Sequence, residues 1–438
     1  MRTILSKLPL ILFLLAVAAA VWLAGALSAR FNVFPYAQLD ALYTNLKAVH
    51  RSNNFHRATY DIVGVKKHLP DQIAPGLTLL TTLFPEHDWN PGVRLIDSDG
   101  NILHDWKPDF DDLFPDRTVA ASPIHGAHLF PNGDLLFNLS YVGIARIDRC
   151  GNKIWSTKEG KAHHSISPAA DGNFWVSGMI ARRNNDEDRA YMEKFGGLRP
   201  PVFEDLYVKF SPDGEILKSI SSLDVLEQNG LWHLLYRNGS RSKGPPDDPG
   251  YHGDILHLND VEELRPEMAD SYPLFDAGDL VVSLRQISSV LVFDPDTLEV
   301  KWVGTNPLIM QHDPDFMGDG RIGVFNNNTD RTARGTFLGG SNILAFEPHT
   351  GAVEQIYPTE KSPHFYTAFA GKWQLLPNGN YLTVESRSGR ALEANPAGET
   401  VWEWYSERLD GTHVPEVLEA SRYDNITAET VASWTCDN

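Results

Sequence analysis

Alternating apolar and polar residues recur in short runs from Leu77 onward. One unit appears six times: an alternating strand, a short turn with Asp, Pro or Gly, and a second alternating strand. Its copies begin at Gly92, Gly143, Leu206, Ser289, Ser341 and Arg390. A shorter unit with a turn glycine, such as HLFPNGDLLFN, precedes each copy after the first. Two hairpins per unit, repeated six times, predict an all-β, six-bladed β-propeller with four strands per blade.

The spacing of the copies is uneven, and the extra residues fall at 181–205 and 221–253. Both stretches are rich in charge, Gly and Pro, and we interpret them as loops over one mouth of the ring. The run LTLLTTLF near Leu77 is a candidate for an early strand that closes the ring and removes its free edge. An irregular β-sandwich would also show alternating strands, but the sixfold count favours the propeller.

The N-terminal pattern is different. Arg2 and Lys7 precede an uncharged apolar run at 8–27, which is long enough to span a bilayer with the basic residues on the cytoplasmic side. The sequence ALSA at 26–29 would also suit a signal peptidase. Residues 1–30 are therefore predicted to be either a retained signal anchor, forming a transmembrane helix, or a cleaved signal peptide.

The residues between this segment and the β-rich region are predicted to form a helical connector. Apolar residues from Tyr36 to Val49 have helical spacing, and a polar stretch follows them. The predicted domains are thus the N-terminal segment, a connector at 31–75 and a propeller at 76–438.

The net charge and the number of cysteines limit which classes of function the sequence supports. The formal net charge of −19 argues against a nucleic-acid partner, which would need a basic face, although a local cluster of Arg and His can still bind a small anion. Cys150 and Cys436 are too few for a disulfide scaffold and lack zinc-site spacing. One disulfide to the C-terminal tail and two free thiols both remain open.

Histidines occupy one position of the repeat. Three of them lie eight residues before the turn glycine of an inner unit: His125 before Gly133, His164 before Gly172, and His312 before Gly320. His257 begins the corresponding unit of a fourth blade. Equivalent positions on inner strands face one end of the central channel, so four histidines are predicted to meet there. A half-exposed histidine bonded only to backbone remains the alternative for His125. His163 adjoins His164, and the register selects His164.

Two further residues have side chains that could bind a substrate at this end of the central channel. Arg285 ends the apolar strand DLVVS, and a planar guanidinium can hold two oxygens of a tetrahedral anion. A solvated strand end is the alternative for Arg285. Asn259 lies two residues after His257, so both side chains are on one face of the strand, and its amide can donate to a bound substrate.

The blocks DILHLND, VVSLRQ, a strand with Trp302 and Gly304, QHD and FNNN resemble the bacterial aryl sulfotransferases that use no nucleotide sulfate donor. The resemblance covers about residues 90–405 and is most specific at 254–328. It implies a six-bladed propeller in the periplasm, either anchored to the inner membrane by the N-terminal helix or secreted. The implied reaction is ping-pong transfer of a sulfuryl group from an aryl sulfate to a phenol.

The resemblance assigns roles to individual residues. His312 matches the histidine nucleophile, His257 and Arg285 match the pair that holds the sulfate, and Asn259 matches a supporting amide. His164 matches the remaining histidine, and His125 is a further substrate-binding candidate. A neutral imidazole is nucleophilic near pH 7, and His257 or His164 can serve as general acid. This chemistry needs no metal and no organic cofactor.

The sequence is also compatible with other functions. The 28-residue interval from His257 to Arg285 contains an insertion, and the loops at 181–205 and 221–253 have no family counterpart that we can place, so the donor and acceptor are unspecified. A propeller lyase or hydrolase for acidic sugars, with zinc or manganese on the histidines, is one alternative. A membrane-tethered, non-catalytic binding propeller is another. The oligomeric state is open.

Overall fold

A computed structural model of the chain describes residues 8–31, 54–115, 122–195, 198, 200–237, 253–330 and 332–436. The chain divides into two compact units, Met1–Phe55 and His56–Asn438. In the first unit, helix α1 (Leu8–Phe31) covers the apolar run. Among the residues described, no helix has the combination of length and apolar character that a membrane crossing requires, so the predicted transmembrane anchor is not supported. The helix predicted at 36–49 lies outside the described residues.

Strands make up most of the regular secondary structure of the second unit. In chain order they are β1 (Phe55–Arg57), β2 (Gly64–Lys67), β3 (Leu77–Phe84), β4 (Asn90–Ile96), β5 (Ile102–Trp106), β6 (Ile124–Leu129), β7 (Leu135–Leu139), β8 (Gly143–Ile147), β9 (Lys153–Thr157), β10 (His163–Pro168), β11 (Phe174–Arg182), β12 (Val202–Phe210), β13 (Ile216–Ser221), β14 (Gly253–Asp254), β15 (Leu258–Glu263), β16 (Leu280–Leu284), β17 (Ser289–Phe293), β18 (Val300–Gly304), β19 (His312–Phe316), β20 (Ile322–Asn326), β21 (Asn342–Glu347), β22 (Ala352–Tyr357), β23 (Trp373–Leu375), β24 (Tyr381–Glu385), β25 (Arg390–Ala394), β26 (Thr400–Tyr405), β27 (His413–Pro415) and β28 (Glu419–Tyr423).

Helices in this unit are short. The α-helices are α2 (Phe110–Leu113), α3 (Asp186–Met192), α4 (Ser222–Gln228), α5 (Pro266–Ala269) and α6 (Ala428–Ala432). The 3₁₀ helices are Pro70–Gln72, Pro85–His87, Glu159–Lys161, Glu193–Phe195, Leu231–Arg237, Arg285–Ile287 and Ser386–Ser388.

Six antiparallel sheets form the blades, which confirms the predicted six-bladed propeller. Their strand orders are β28-β3-β4-β5, β6-β7-β8-β9, β10-β11-β12-β13, β15-β16-β17-β18, β19-β20-β21-β22 and β23-β24-β25-β26. The C-terminal strand β28 pairs with β3, with Glu419 opposite Thr81. The run near Leu77 therefore closes the ring as predicted, and this pairing satisfies the backbone groups along the inner edge of β3.

All six repeats found in the sequence form the outer hairpin of a blade. The inner hairpins turn at glycines with positive φ, such as Gly133 (φ 87°) and Gly320 (φ 89°). A side chain would be strained in this conformation, which explains the recurrent glycine on which the histidine register depends. Sheet-to-sheet packing of apolar side chains then forms the core between neighbouring blades.

The two stretches predicted as loops have more structure than expected. The first, at 181–205, contains α3 and the start of β12, and the second, at 221–253, contains α4 and β14. Apolar residues from both stretches are buried in one core cluster, including Met192, Phe195 and Leu223. Burial of these side chains stabilises the helices. The charge, Gly and Pro content of the two stretches does not reveal this burial, so the sequence predicted loops instead. The predicted connector likewise supplies β2, a fifth strand on the last blade.

Cys150 and Cys436 form a disulfide, which settles the alternative that the sequence left open. Their Cα atoms lie 5.6 Å apart across 286 residues of chain. Cys150 lies in the turn between β8 and β9, and Cys436 follows α6. The bond therefore ties the C-terminal tail to the second blade.

Candidate active site

Four inner strands present a histidine at the same end of the channel. His125 lies in β6, His163 and His164 begin β10, His257 immediately precedes β15, and His312 begins β19. The pairing of each of these strands with its neighbour is interrupted by an irregularity at this point. Bulges of this kind re-aim side chains. His164 and His257 also have positive φ values of 57° and 54°, so the backbone departs from regular strand geometry where the histidines meet.

The structure brings the four predicted histidine rings together. The ring of His164 lies at the centre, with ring centroids 4.1 Å from His125, 5.1 Å from His257 and 6.2 Å from His312. The offset shared by His125, His164 and His312, together with the place of His257 at the start of its own unit, thus located four side chains in one space. His164 rather than His163 is the central member, as the register indicated.

His312 has a defined proton arrangement. Its Nδ1 lies 2.6 Å from Oδ1 of Asn327. The Nδ2 of Asn327 donates to the carbonyls of Thr367 at 3.0 Å and Ala370 at 2.6 Å. Because both amide hydrogens are used in this way, the Oδ1 must accept, and Nδ1 of His312 carries the hydrogen. The Nε2 of His312 is then the unprotonated nitrogen.

Burial keeps His312 uncharged. The side chain is almost fully buried, and this burial, followed by the nearby Arg285 guanidinium, lowers the pKa of His312 well below the usual 6.5. The hydrogen bond with Asn327 opposes the shift without reversing it. A neutral imidazole with a free Nε2 lone pair is a nucleophile.

His257 is paired with a carboxylate. Its Nδ1 lies 2.7 Å from Oδ2 of Asp254, and Nε2 of Gln286 donates to the same oxygen at 3.1 Å. Burial alone would raise the pKa of Asp254, but His257 and these hydrogen bonds lower it to about 2. Asp254 is therefore ionised and accepts from His257, which leaves the Nε2 of His257 free to exchange a proton. Burial, followed by Arg285, lowers the pKa of His257.

His163 extends the cluster. Its Nδ1 lies 2.7 Å from the Nδ1 of His164, so one of the two rings donates to the other. The ring of His163 also stacks on Tyr141, with centroids 4.8 Å apart. The position of His164 is thus fixed from two sides, by His163 and by the ring of His125.

Arg285 brings a positive charge to these neutral rings. Its backbone N–H donates to the carbonyl of His257 at 3.2 Å, which places the start of the 3₁₀ helix beside that histidine. The side chain is half-buried and, within the described chain, forms no ion pair, and its Nε has no hydrogen-bond partner. An arginine in this state is suited to an anion with several oxygens.

Comparison with known families agrees with this geometry. A family model described as Arylsulfotransferase (ASST) matches residues 126–408, well over half of the chain. The chain belongs to the arylsulfotransferase family. This confirms the family predicted from the sequence, and the matched range includes every candidate site residue except His125.

Individual known proteins resemble the chain only distantly. No curated protein matches the chain. Solved structures that resemble it include a protein of unknown function from Bacteroides caccae, with 12% identity, TM-score 0.45, and coverage of 75% of this chain and 93% of that one. TolB from Acinetobacter baumannii has 14% identity, TM-score 0.43, and coverage of 79% and 66%. A streptogramin B lyase has 12% identity, TM-score 0.39, and coverage of 79% and 88%. At these TM-scores none supports an argument.

Asn259 of this arylsulfotransferase family member, predicted to donate to a bound substrate, contacts the backbone beside His312 in the structure. Its Nδ2 donates to the carbonyl of Gln311 at 2.8 Å, and the hydroxyl of Ser283 approaches the same carbonyl at 3.3 Å. Gln311 immediately precedes His312. Asn259 therefore fixes the backbone that carries His312, and its predicted contact with substrate stays a prediction.

Two contributors to the site were missed by reasoning from the sequence. Asn327 lies in the FNNN block, whose asparagines were read only as a family end-motif. Asp254 lies three residues before His257, a spacing at which a carboxylate can bond a histidine in a turn. Both signals were visible in the sequence, but neither the repeat nor its register points to them. In the part of the chain that the structure describes, no group of three or more His, Cys, Asp or Glu has a geometry that would hold a metal ion.

Proposed function

We propose that the protein transfers a sulfuryl group from an aryl sulfate ester to a phenol through a covalent intermediate on His312. The observation that supports this most is the proton arrangement of His312. Asn327 holds the hydrogen on Nδ1, so the lone pair of Nε2 is available beside a guanidinium that has no ion-pair partner among the described residues. A nucleophile and an anion-binding group are the two parts that this reaction requires.

In the first half-reaction, Nε2 of His312 attacks the sulfur of the aryl sulfate. The nitrogen–sulfur bond forms as the bond between sulfur and the aryl oxygen breaks, and that electron pair leaves on the phenolate oxygen. Arg285 stabilises the negative charge on the sulfuryl oxygens. The phenolate takes up a proton from water or from a protonated His257, whose cationic form Asp254 stabilises.

In the second half-reaction, the oxygen of an acceptor phenol attacks the same sulfur. The nitrogen–sulfur bond breaks, and its electron pair returns to Nε2 of His312. His257 accepts the phenol proton on its Nε2, because its Nδ1 hydrogen is already donated to Asp254. The cycle restores the starting protein and needs no redox partner.

Steady-state and burst kinetics test this proposal. With 4-nitrophenyl sulfate alone, about one nitrophenol per protein should be released rapidly, and continued release should require an added phenol. Double-reciprocal plots for donor and acceptor should give parallel lines. Failure to release nitrophenol from this ester and from several other aryl sulfates would remove the support for sulfuryl transfer.

The burst should have an unusual pH dependence. Attack requires neutral His312, and since burial lowers the pKa of this histidine well below 6.5, the neutral form persists as the pH falls through that value. Nitrophenolate leaves without help from an acid, so we expect the burst rate to stay nearly constant from about pH 8 to about pH 5. Rapid-quench measurement of nitrophenol provides the check. A twofold loss near pH 6.5 would instead indicate an ordinary, solvent-exposed histidine.

We also propose that the propeller functions in an oxidising compartment outside the cytoplasm, as the sequence suggested. The Cys150–Cys436 disulfide supports this, because disulfides persist in such compartments and are rare in a reducing cytosol. Protein taken from its cells and alkylated under denaturing conditions should carry no modified cysteine without a reductant and two with one. Alkylation of both cysteines without a reductant would contradict the proposal.

A further inference from the structure

A second arginine occupies the same level of the ring as Arg285. In the fourth blade, β16 is followed by the 3₁₀ helix Arg285–Ile287, and in the sixth blade, β24 is followed by the 3₁₀ helix Ser386–Ser388. Both helices connect the second strand of a blade to the third, at the end of the blade where the histidines lie. Arg387 is thus placed near the candidate active site by the repeat itself.

One aromatic ring contacts both arginines. The guanidinium carbons of Arg285 and Arg387 lie 5.8 Å and 5.1 Å from the ring centroid of Phe369. The two cations are therefore separated by no more than the sum of these distances, about the reach of one substituted aryl ring. The side chain of Phe369 is 42% exposed, so its ring is accessible to a bound molecule.

Neither arginine is joined to a carboxylate by an ion pair among the described residues, although the charge of Asp254 acts on Arg285 and opposes the lowering of its pKa by burial. In the described parts of the chain, Arg285 and Arg387 form no ion pair within 4.0 Å, whereas buried Arg390 nearby in sequence bonds to Glu385. Although the whole chain has a net charge of −19, these two guanidinium groups approach one ring with no carboxylate within 4.0 Å of either among the described residues. Because both cations lie within reach of one ring, an anion that binds between them is attracted by both.

The loop that carries Phe369 is joined to His312 through Asn327. Asn327 donates to the carbonyls of Thr367 and Ala370, on either side of Phe369, while its own oxygen bonds His312. The hydroxyl of Thr367 donates to the carbonyl of Phe369 at 2.8 Å. One asparagine side chain therefore joins the nucleophile to the loop that carries the aromatic ring.

We propose that Arg387 and Phe369 form a subsite that selects aryl substrates with a second anionic group, such as a carboxylate. This rests on the proposed function. The sulfuryl group binds at Arg285, the aryl ring packs against Phe369, and the second anion binds Arg387. Arginine suits this role because its planar fork can bond a carboxylate with two hydrogen bonds while its face remains on an aromatic ring.

Two acceptors of nearly the same shape test the proposal. With 4-nitrophenyl sulfate as donor, we expect kcat/KM to be higher for 4-hydroxybenzoate than for neutral 4-hydroxybenzamide. Arg387→Gln should lower the ratio of these two values by about 10- to 100-fold, as expected for the loss of a hydrogen bond between charged groups. Arg321→Gln is the matched control, since Arg321 lies in the turn between β19 and β20 and bonds Asp319. An unchanged ratio in Arg387→Gln would overturn the subsite.

Equilibrium binding separates this proposal from the sulfuryl-transfer mechanism. Calorimetric titration of 4-hydroxybenzoate and 4-hydroxybenzamide into the wild-type protein needs no turnover. If no nitrophenol burst occurs but 4-hydroxybenzoate binds more tightly and loses this advantage in Arg387→Gln, the reaction is wrong and the anion subsite stands. Equal binding of the two compounds, or no binding of either, would overturn the subsite whatever the kinetics show.

Discussion

Replacement of His312 with Asn is expected to reduce nitrophenol release from 4-nitrophenyl sulfate by roughly 10⁴-fold or more, because the variant has no nitrogen lone pair with which to attack sulfur. Asparagine is smaller than histidine and polar, so the buried position keeps a group that can bond Asn327. The measurement is burst and steady-state release, with circular dichroism to confirm that the propeller folds.

His128→Asn is the matched control for this variant. His128 lies further along β6 from the histidine cluster, where its ring packs 4.9 Å from Phe174. We expect this variant to retain the burst. If His312→Asn retains it as well, His312 is not the nucleophile and the proposed mechanism fails at its first step.

Replacement of Asn327 with Leu should be the next most damaging change, with a fall of about 100-fold or more in the rate of the first half-reaction. Leucine has a similar volume but cannot accept from Nδ1 of His312, so the ring can place its hydrogen on Nε2 and lose the reactive lone pair. A wrong tautomer of the histidine base costs as much as about 10⁴-fold in serine proteases. Rapid-quench measurement of nitrophenol release gives the rate.

A loss of rate in Asn327→Leu could also follow from a disturbed loop, so the tautomer must be observed directly. The ¹⁵N chemical shifts of His312 should indicate a hydrogen on Nδ1 in the wild type and a shift towards Nε2 in the variant. Asn380→Leu is the matched control and should keep the His312 tautomer, because Asn380 is also a buried amide that donates to a distant carbonyl, that of Gln72, and lies in the inner turn of the sixth blade, away from the histidines. An unchanged His312 tautomer in Asn327→Leu would assign Asn327 a structural role only.

Much of the fold could be predicted because it depends on local patterns. Alternation with a period of two marked the strands, and glycines that must adopt positive φ, such as Gly133 and Gly320, marked the inner turns. Once the blades were aligned on these glycines, three histidines fell at equivalent positions and His257 began the matching unit of a fourth blade, and the structure brings the four rings together. The closing strand at Leu77 followed from the need to pair a free edge.

The features that could not be predicted depend on contacts between residues far apart in the chain. Asn327 orients His312 only because its two amide hydrogens are taken by carbonyls some 40 residues later in the chain. The Cys150–Cys436 disulfide, across 286 residues, could not be decided from spacing. The helices within 181–205 and 221–253 are stabilised by a core that the local composition does not reveal. Arg387 was overlooked because its blade carries no histidine at the shared position.

Intact mass spectrometry tests the central claim most directly. The protein is mixed briefly with 4-nitrophenyl sulfate at mildly alkaline pH and analysed at once, with and without a later addition of phenol. The account predicts a gain of about 80 mass units, the mass of one sulfuryl group covalently bound to a histidine nucleophile, which maps to His312 and disappears when phenol is added. Release of nitrophenol without any adduct, or an adduct that persists in His312→Asn, would contradict it.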